Sequence, residues 1–119
     1  MSEEKNETEQ SYEVSFQMIL HAGDARSSAA KAVEAANSYD FEQAEMYLKA
    51  ANQELKKAHR VQTKLIQAEA GGEMKPVNLM MIHAQDHFTM ALMAIDEAKE
   101  MIYLNKKMYA LEHLEKRNK

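Results

Sequence analysis

Apolar and polar positions along this chain recur at helical spacing, with no run of strand-like alternation. From about Ser11 to Asn37, the residues Phe16, Ile19, Leu20, Gly23, Ala29, Ala30, Val33 and Ala36 mark one face, largely in steps of three and four. That pattern predicts a first amphipathic helix. It breaks at Asn37 to Asp40, and Asp40 is placed to cap a second helix, with Gln43 in the capping-box position. The second pattern is the most regular: Phe41, Ala44, Leu48, Ala51, Leu55, Ala58, Gln62 and Leu65. Gly71 and Gly72 end it, and Pro76 suits the first turn of a third helix.

The third helix, from about Pro76 to near Glu115, carries two stripes. One is Val77, Met81, Ala84, Phe88, Ala91, Ile95, Ala98 and Ile102; the other is Met80, His83, His87, Met90, Ala94, Glu97, Met101 and Leu104. A helix apolar on two sides is covered on two sides. Two shorter helices cover one stripe, which leaves the other for further copies of the chain; the plainer alternative is a monomer with an unusually apolar surface helix, since Ala and Met are tolerated at surfaces better than Leu. The expected architecture is all-α: one domain over residues 1–119, folded as an antiparallel three-helix bundle that self-associates through its third helix. Residues 1–10 have no apolar residue after Met1 and read as a flexible tail. The end from Glu112 to Lys119 alternates in charge sign and reads as an exposed helix end.

Composition narrows the functional classes. A net charge of -4 argues against nucleic acid and against an anionic membrane surface. There is no cysteine, so disulfides, thiolate metal sites and cysteine nucleophiles are excluded. The N-terminal segment lacks the basic and apolar regions of a signal peptide, and no apolar run approaches a membrane span. The expected location is the cytoplasm, without membrane insertion.

The densest polar cluster in an apolar setting is His83-Ala84-Gln85-Asp86-His87. His83 and His87 are one helical turn apart and share a face. Three readings compete: two buried histidines satisfied by Asp86 and Gln85, a zinc site, or a phosphohistidine. The spacing is that of an inverted zincin motif with a shortened carboxylate, but a catalytic zinc needs a third protein ligand and a cleft. A neutral imidazole is a good phosphoryl acceptor, and the transfer asks mainly for positioning and charge stabilisation. His83 lies too far into its helix for terminal N–H groups to help. Donors must be side chains: Gln85, His87, an inward-pointing Gln62 or Arg26 of the first helix. Each has a plainer reading. Gln62 fits a buried amide satisfied by backbone, and Arg26 fits a salt bridge to Glu34 or Asp24. His59 and Arg60 read as solvated.

The cluster from His83 to His87 resembles the signature of the lactose/cellobiose IIA family of the bacterial sugar phosphotransferase system. So do Gly23-Asp24-Ala25-Arg26-Ser27 and Ala58-His59-Arg60-Val61-Gln62-Thr63. Glu69-Ala70-Gly71-Gly72-Glu73 is similar to the family's loop, which usually carries Ser where this chain has Gly71. The resemblance spans about Phe16 to Met108. It implies a phosphotransferase component that is a homotrimer of three-helix subunits. His83 would accept a phosphoryl group from the histidine-containing phosphocarrier protein, held as a covalent phosphate. It would then pass the group to a cysteine of the IIB component, which serves the membrane IIC component. Asp86 would bind a metal ion, generally magnesium, one per trimer on the three-fold axis, and His87 would be auxiliary. The alternative is a non-catalytic helical-bundle interaction protein. Nothing in the sequence selects the sugar.

Overall fold

The computed structural model describes residues 2–73 and 77–117. They form three helices: α1 Ser2–Asn37, α2 Phe41–Ala70 and α3 Leu79–Arg117. Among the described residues none of the helices is long and apolar enough to cross a membrane. α1 starts at Ser2, upstream of the Ser11 start that the apolar pattern predicts, because the Glu-rich segment before it, with Lys5 and Gln10, consists largely of helix formers. Pro76 lies outside the described residues. α3 is instead capped by Asn78, whose Oδ1 accepts the Met81 N–H at 2.8 Å. The Asp40 cap is as expected, with Oδ1 accepting the Gln43 N–H at 3.2 Å. Gly71 closes α2, and Gly72 follows in the left-handed region at φ 95, where a side chain would be strained.

The helices run up, down and up, so α1 and α3 are parallel. Their register is fixed by Asn78 Nδ2 to Ser11 Oγ at 3.0 Å near one end and by the buried Asn105 Nδ2 to Asn37 Oδ1 at 2.9 Å near the other. On the α1–α2 seam, Glu54 is held by Lys57 and His21, each at 2.9 Å. The Lys57 bond first, and the His21 bond second, lower the Glu54 carboxyl below its ordinary value.

The interior is lined with alanine: Ala22, Ala25, Ala29, Ala32 and Ala36 from α1; Ala44, Ala51 and Ala58 from α2; Ala84, Ala91 and Ala98 from α3. Alanine at facing positions lets helices approach toward the lower end of the usual ~8–10 Å spacing. Met18, Phe88, Ile95 and Ile102 fill the gaps between these layers, each burial contributing roughly 1.5–3 kcal/mol. The expected α2 face and most of the first α3 stripe are the observed inner faces. The α1 expectation needs correction. Phe16 and Leu20 are exposed because α1 packs chiefly through alanines, with Met18 as its one large fully buried side chain among the described residues, and Val77 is exposed because it precedes α3.

At the far end, Tyr39 closes α1 in the left-handed conformation, φ 62, where glycine is usual. Its ring meets Tyr109 edge-on at 5.3 Å, and its hydroxyl donates to Glu112 at 2.7 Å. Donation to that carboxylate raises the phenol above its ordinary value.

Candidate active site

The polar cluster occupies the second and third turns of α3. His83 Nε2 and His87 Nε2 are 3.1 Å apart, and the rings meet edge-on with centroids 4.5 Å apart. His83 is exposed and His87 is half-buried. His87 Nδ1 is fully buried and has no hydrogen-bond partner among the described residues. A proton on that atom would be a buried, orphaned N–H, the rarer and costlier defect. The tautomer that avoids it carries the His87 proton on Nε2 and donates it to His83 Nε2. His83 then keeps its own proton on Nδ1, and its Nε2 lone pair, the nucleophilic one, is held by the His87 N–H until a phosphoryl group displaces that bond.

His83 borders an open cleft of about 580 Å³ lined by Tyr12 and Phe16 of α1 and by Asn78, Leu79 and Met80 of α3. Its walls are chiefly apolar, so a charged group bound there would be poorly hydrated and strongly dependent on the donors around it.

The other expected site residues divide. Gln62 Nε2 donates to Gln85 Oε1 at 2.8 Å, which joins α2 to α3 through two amides. The partner of Gln62 is therefore a side chain and not the backbone. Gln85 borders a different cleft, of about 440 Å³, with Val14, Leu65 and Met81, so Gln85 and Gln62 do not meet His83 within the subunit. Arg26 is exposed and makes no ion pair among the described residues. Extending the Ser11–Asn78 and Asn37–Asn105 register, it lies level with about Met93, roughly 15 Å along the bundle from His83 at 1.5 Å rise per residue. The structure does not bring Arg26 to His83 within one subunit. His59, read as solvated, is exposed but stacks on Phe88 with centroids 6.0 Å apart.

Asp86 is exposed and makes no hydrogen bond among the described residues. Projected at about 100° per residue, it falls in the middle of an outward stripe of Leu79, Ile82, Met90, Met93, Met101 and Leu104, all of them exposed. The sequence pattern put the outward stripe on Met80 and His87; it is turned toward Asp86. Among the described residues no three His, Asp or Glu of one chain are grouped to hold a metal ion. The single Asp86 carboxylate is a hard oxygen donor of the kind magnesium takes, but one carboxylate is not by itself a metal site.

The profile of a family described as PTS system, Lactose/Cellobiose specific IIA subunit, matches residues 13–106. The lichenan-specific phosphotransferase enzyme IIA component of Bacillus subtilis is 49% identical over 100 residues, covering 84% of this chain and 91% of that protein. The crystal structure of a cellobiose-specific enzyme IIA from Bacillus anthracis is similar with TM-score 0.80 and 39% identity, covering 82% of this chain and 90% of that one. The Escherichia coli chitobiose IIA, solved in complex with HPr, is similar with TM-score 0.71 and 36% identity, covering 82% and 94%.

Proposed function

Since the chain belongs to the lactose/cellobiose-specific IIA family of sugar phosphotransferase components, we propose that its phosphoryl carrier is His83, through Nε2. The observation that carries this is the 3.1 Å His87–His83 contact, in which one histidine orients the other. In the forward step His83 Nε2 attacks the phosphorus of a donor phosphohistidine. The N–P bond to the donor breaks as the new one forms, and the donor imidazole recovers its electron pair. The His87 Nε2–H, released from the His83 lone pair, turns to a phosphoryl oxygen. The transfer onward is the same exchange with a cysteine thiolate as acceptor. In-line geometry and donors aimed at the equatorial oxygens supply most of the acceleration.

The donor in this reading is the histidine-containing phosphocarrier protein, supported by the HPr complex of the chitobiose relative. The acceptor is the IIB component, which phosphorylates sugar at the membrane IIC component, and the chain acts in the cytoplasm. Three copies assemble through the outward stripe of α3. Asp86 then lies near the three-fold axis, where three carboxylates repel. A magnesium ion bound there would supply positive charge to neutralise them. Gln85 and Arg26 are assigned to phosphate contacts across subunit or partner boundaries, since neither reaches His83 within its own chain. Gln62 acts by orienting Gln85.

The test is incubation with phosphoenolpyruvate, the first enzyme of the system and the phosphocarrier protein. The parent should gain an acid-labile phosphate. His83→Ala should lose all acceptance while keeping its helical circular dichroism, and His87→Ala should accept about 100–1,000-fold more slowly, the usual range for removing one hydrogen-bond donor to a developing charge. Normal acceptance by His83→Ala would assign the phosphate elsewhere.

A further inference from the structure

The net charge of -4 averages over a strongly uneven surface. From Lys49 to Lys64 the chain carries five cations, Lys49, Lys56, Lys57, Arg60 and Lys64, and one acid, Glu54. Of 15 basic and 19 acidic side chains in all, 10 and 18 therefore lie outside that segment. All five cations are exposed. Lys57 is engaged by Glu54, while the other four make no ion pair among the described residues.

These four share one side of α2. Projected at about 100° per residue, they lie within about 80° of one another, opposite the buried Ala51 and Ala58. The ridge they form is roughly 22 Å long at 1.5 Å rise per residue. The exposed large hydrophobics of α2 are Met46 and Ile66, one beyond each end of the ridge. Extending the His21–Glu54 and Gln62–Gln85 contacts along the antiparallel helices brings Glu13 and Asp24 of α1 and Asp96 of α3 alongside. These acids stand to either side at the helix spacing of ~8–10 Å, which is about one Debye length at physiological salt. They leave the crest of the ridge positive.

We propose that the ridge of Lys49, Lys56, Arg60 and Lys64 is a reversible docking surface for an anionic phospholipid bilayer. Charge complementarity selects a polyanion. A stable protein interface has a desolvated core with apolar or aromatic anchors, and single-stranded nucleic acid is held on aromatic platforms. The crest presents neither kind of anchor among the described residues. An anionic leaflet asks only for cations on long stems, each worth roughly fivefold in partitioning. His83 opens onto a cleft lined by α1 and α3, so attachment through α2 leaves the phosphoryl carrier accessible. The bilayer is also where the proposed acceptor passes its phosphate to sugar, and to that extent the inference rests on the reading above. Four cations hold the chain weakly, as suits a carrier that returns to a soluble donor.

Co-sedimentation of the full-length chain with vesicles tests this. Phosphatidylcholine vesicles with about 40% phosphatidylglycerol should bind the parent at about 0.01 M salt and release it at about 1 M, as the Debye length falls from about 30 to about 3 Å. Vesicles of phosphatidylcholine alone should not bind it. Lys56→Gln with Arg60→Gln and Lys64→Gln should partition about a hundredfold more weakly, three cations at roughly fivefold each. Lys31→Gln with Lys106→Gln and Lys107→Gln makes the same change in net charge off the ridge, and should bind within about threefold of the parent. Lys56→Arg with Lys64→Arg should bind like the parent. Every variant should keep its helicity and accept phosphate in solution as the parent does. Binding lost only in the ridge variant upholds the inference even if the parent accepts no phosphate, in which case the carrier reading alone falls. Equal binding to neutral vesicles would place the contact on the apolar stripe of α3, and equal loss in both Gln variants would reduce it to net charge; either overturns the ridge. A parent that ignores anionic vesicles overturns it too, including one that binds an oligonucleotide or an acidic protein through these same cations.

Discussion

The two faces of α3 have opposite chemistry. The inner face presents Ala84, Ala91 and Ala98 with Phe88, Ile95 and Ile102 between them, all buried. The outer face presents Leu79, Met90, Met93, Met101 and Leu104, all exposed, with Asp86 in their midst. In most small domains the bulky apolar side chains point in. Here many of them point out, and the inward positions are often the smallest available. The difference separates two tasks. Small side chains bring three helices of one subunit close together, while large ones make an apolar outer surface.

The comparison is broken most forcefully from the inside. Ala91→Leu puts three extra carbons where two helix backbones meet, and should destabilise the subunit by about 1–3 kcal/mol. Met93→Leu, a near volume-conserving change on the outer face, should alter subunit stability by well under that. Urea unfolding at a fixed protein concentration checks both. Equal losses would mean that the two faces are packed alike.

Asp86 sharpens the outer half. In the proposed trimer, Asp86→Leu removes three mutually repelling carboxylates and continues the apolar stripe. Exchanges of this kind are often neutral or stabilising by about 1–4 kcal/mol. The variant trimer should survive a chelator that loosens the parent, as read by light scattering. A variant that falls apart while the parent ignores chelator would mean that Asp86 makes a direct, metal-free contact.

The smallest effect belongs to the α1–α2 seam, which is part of neither face. The Glu54 carboxyl is lowered by Lys57 and His21. A carboxylate with a lowered folded value stabilises the protein fully above its unfolded value, near pH 4.3. The contribution is lost as the pH falls through the folded value. Glu54→Gln should therefore cost less than about 1 kcal/mol at neutral pH, as is usual for solvent-accessible pairs. It should flatten the stability profile below about pH 5. An unchanged acid limb in thermal melts would show that other carboxylates control it.

Much of this was legible in the sequence, and the parts that were not share a cause. The period of three and four gave three helices, the Asp40 cap and the full inner face of α2. It read α1 only in part: Ala29 and Ala36 face inward as expected, but Phe16 and Leu20 weigh more on any hydrophobicity scale than Ala22, Ala25 and Ala32, which line the core with them. Size is a poor guide to inwardness when helices pack closely. The His83–His87 contact followed from one-turn spacing. The Gln62–Gln85 pairing and the distance of Arg26 from His83 did not, since both depend on inter-helix register, and that is set by Asn78, Asn105 and Tyr39 at the helix ends. The Asn78 cap was visible three residues before Met81 but was overshadowed by Pro76.

The alanine-lined interior also has a calorimetric consequence. Unfolding raises heat capacity in proportion to the apolar area it exposes, and methyl groups contribute little area apiece. A lone subunit should therefore melt with a small heat-capacity step and a broad, shallow stability curve. In the proposed assembly, separation of the outer faces adds to that step, and the melting temperature should rise with protein concentration as the copies associate.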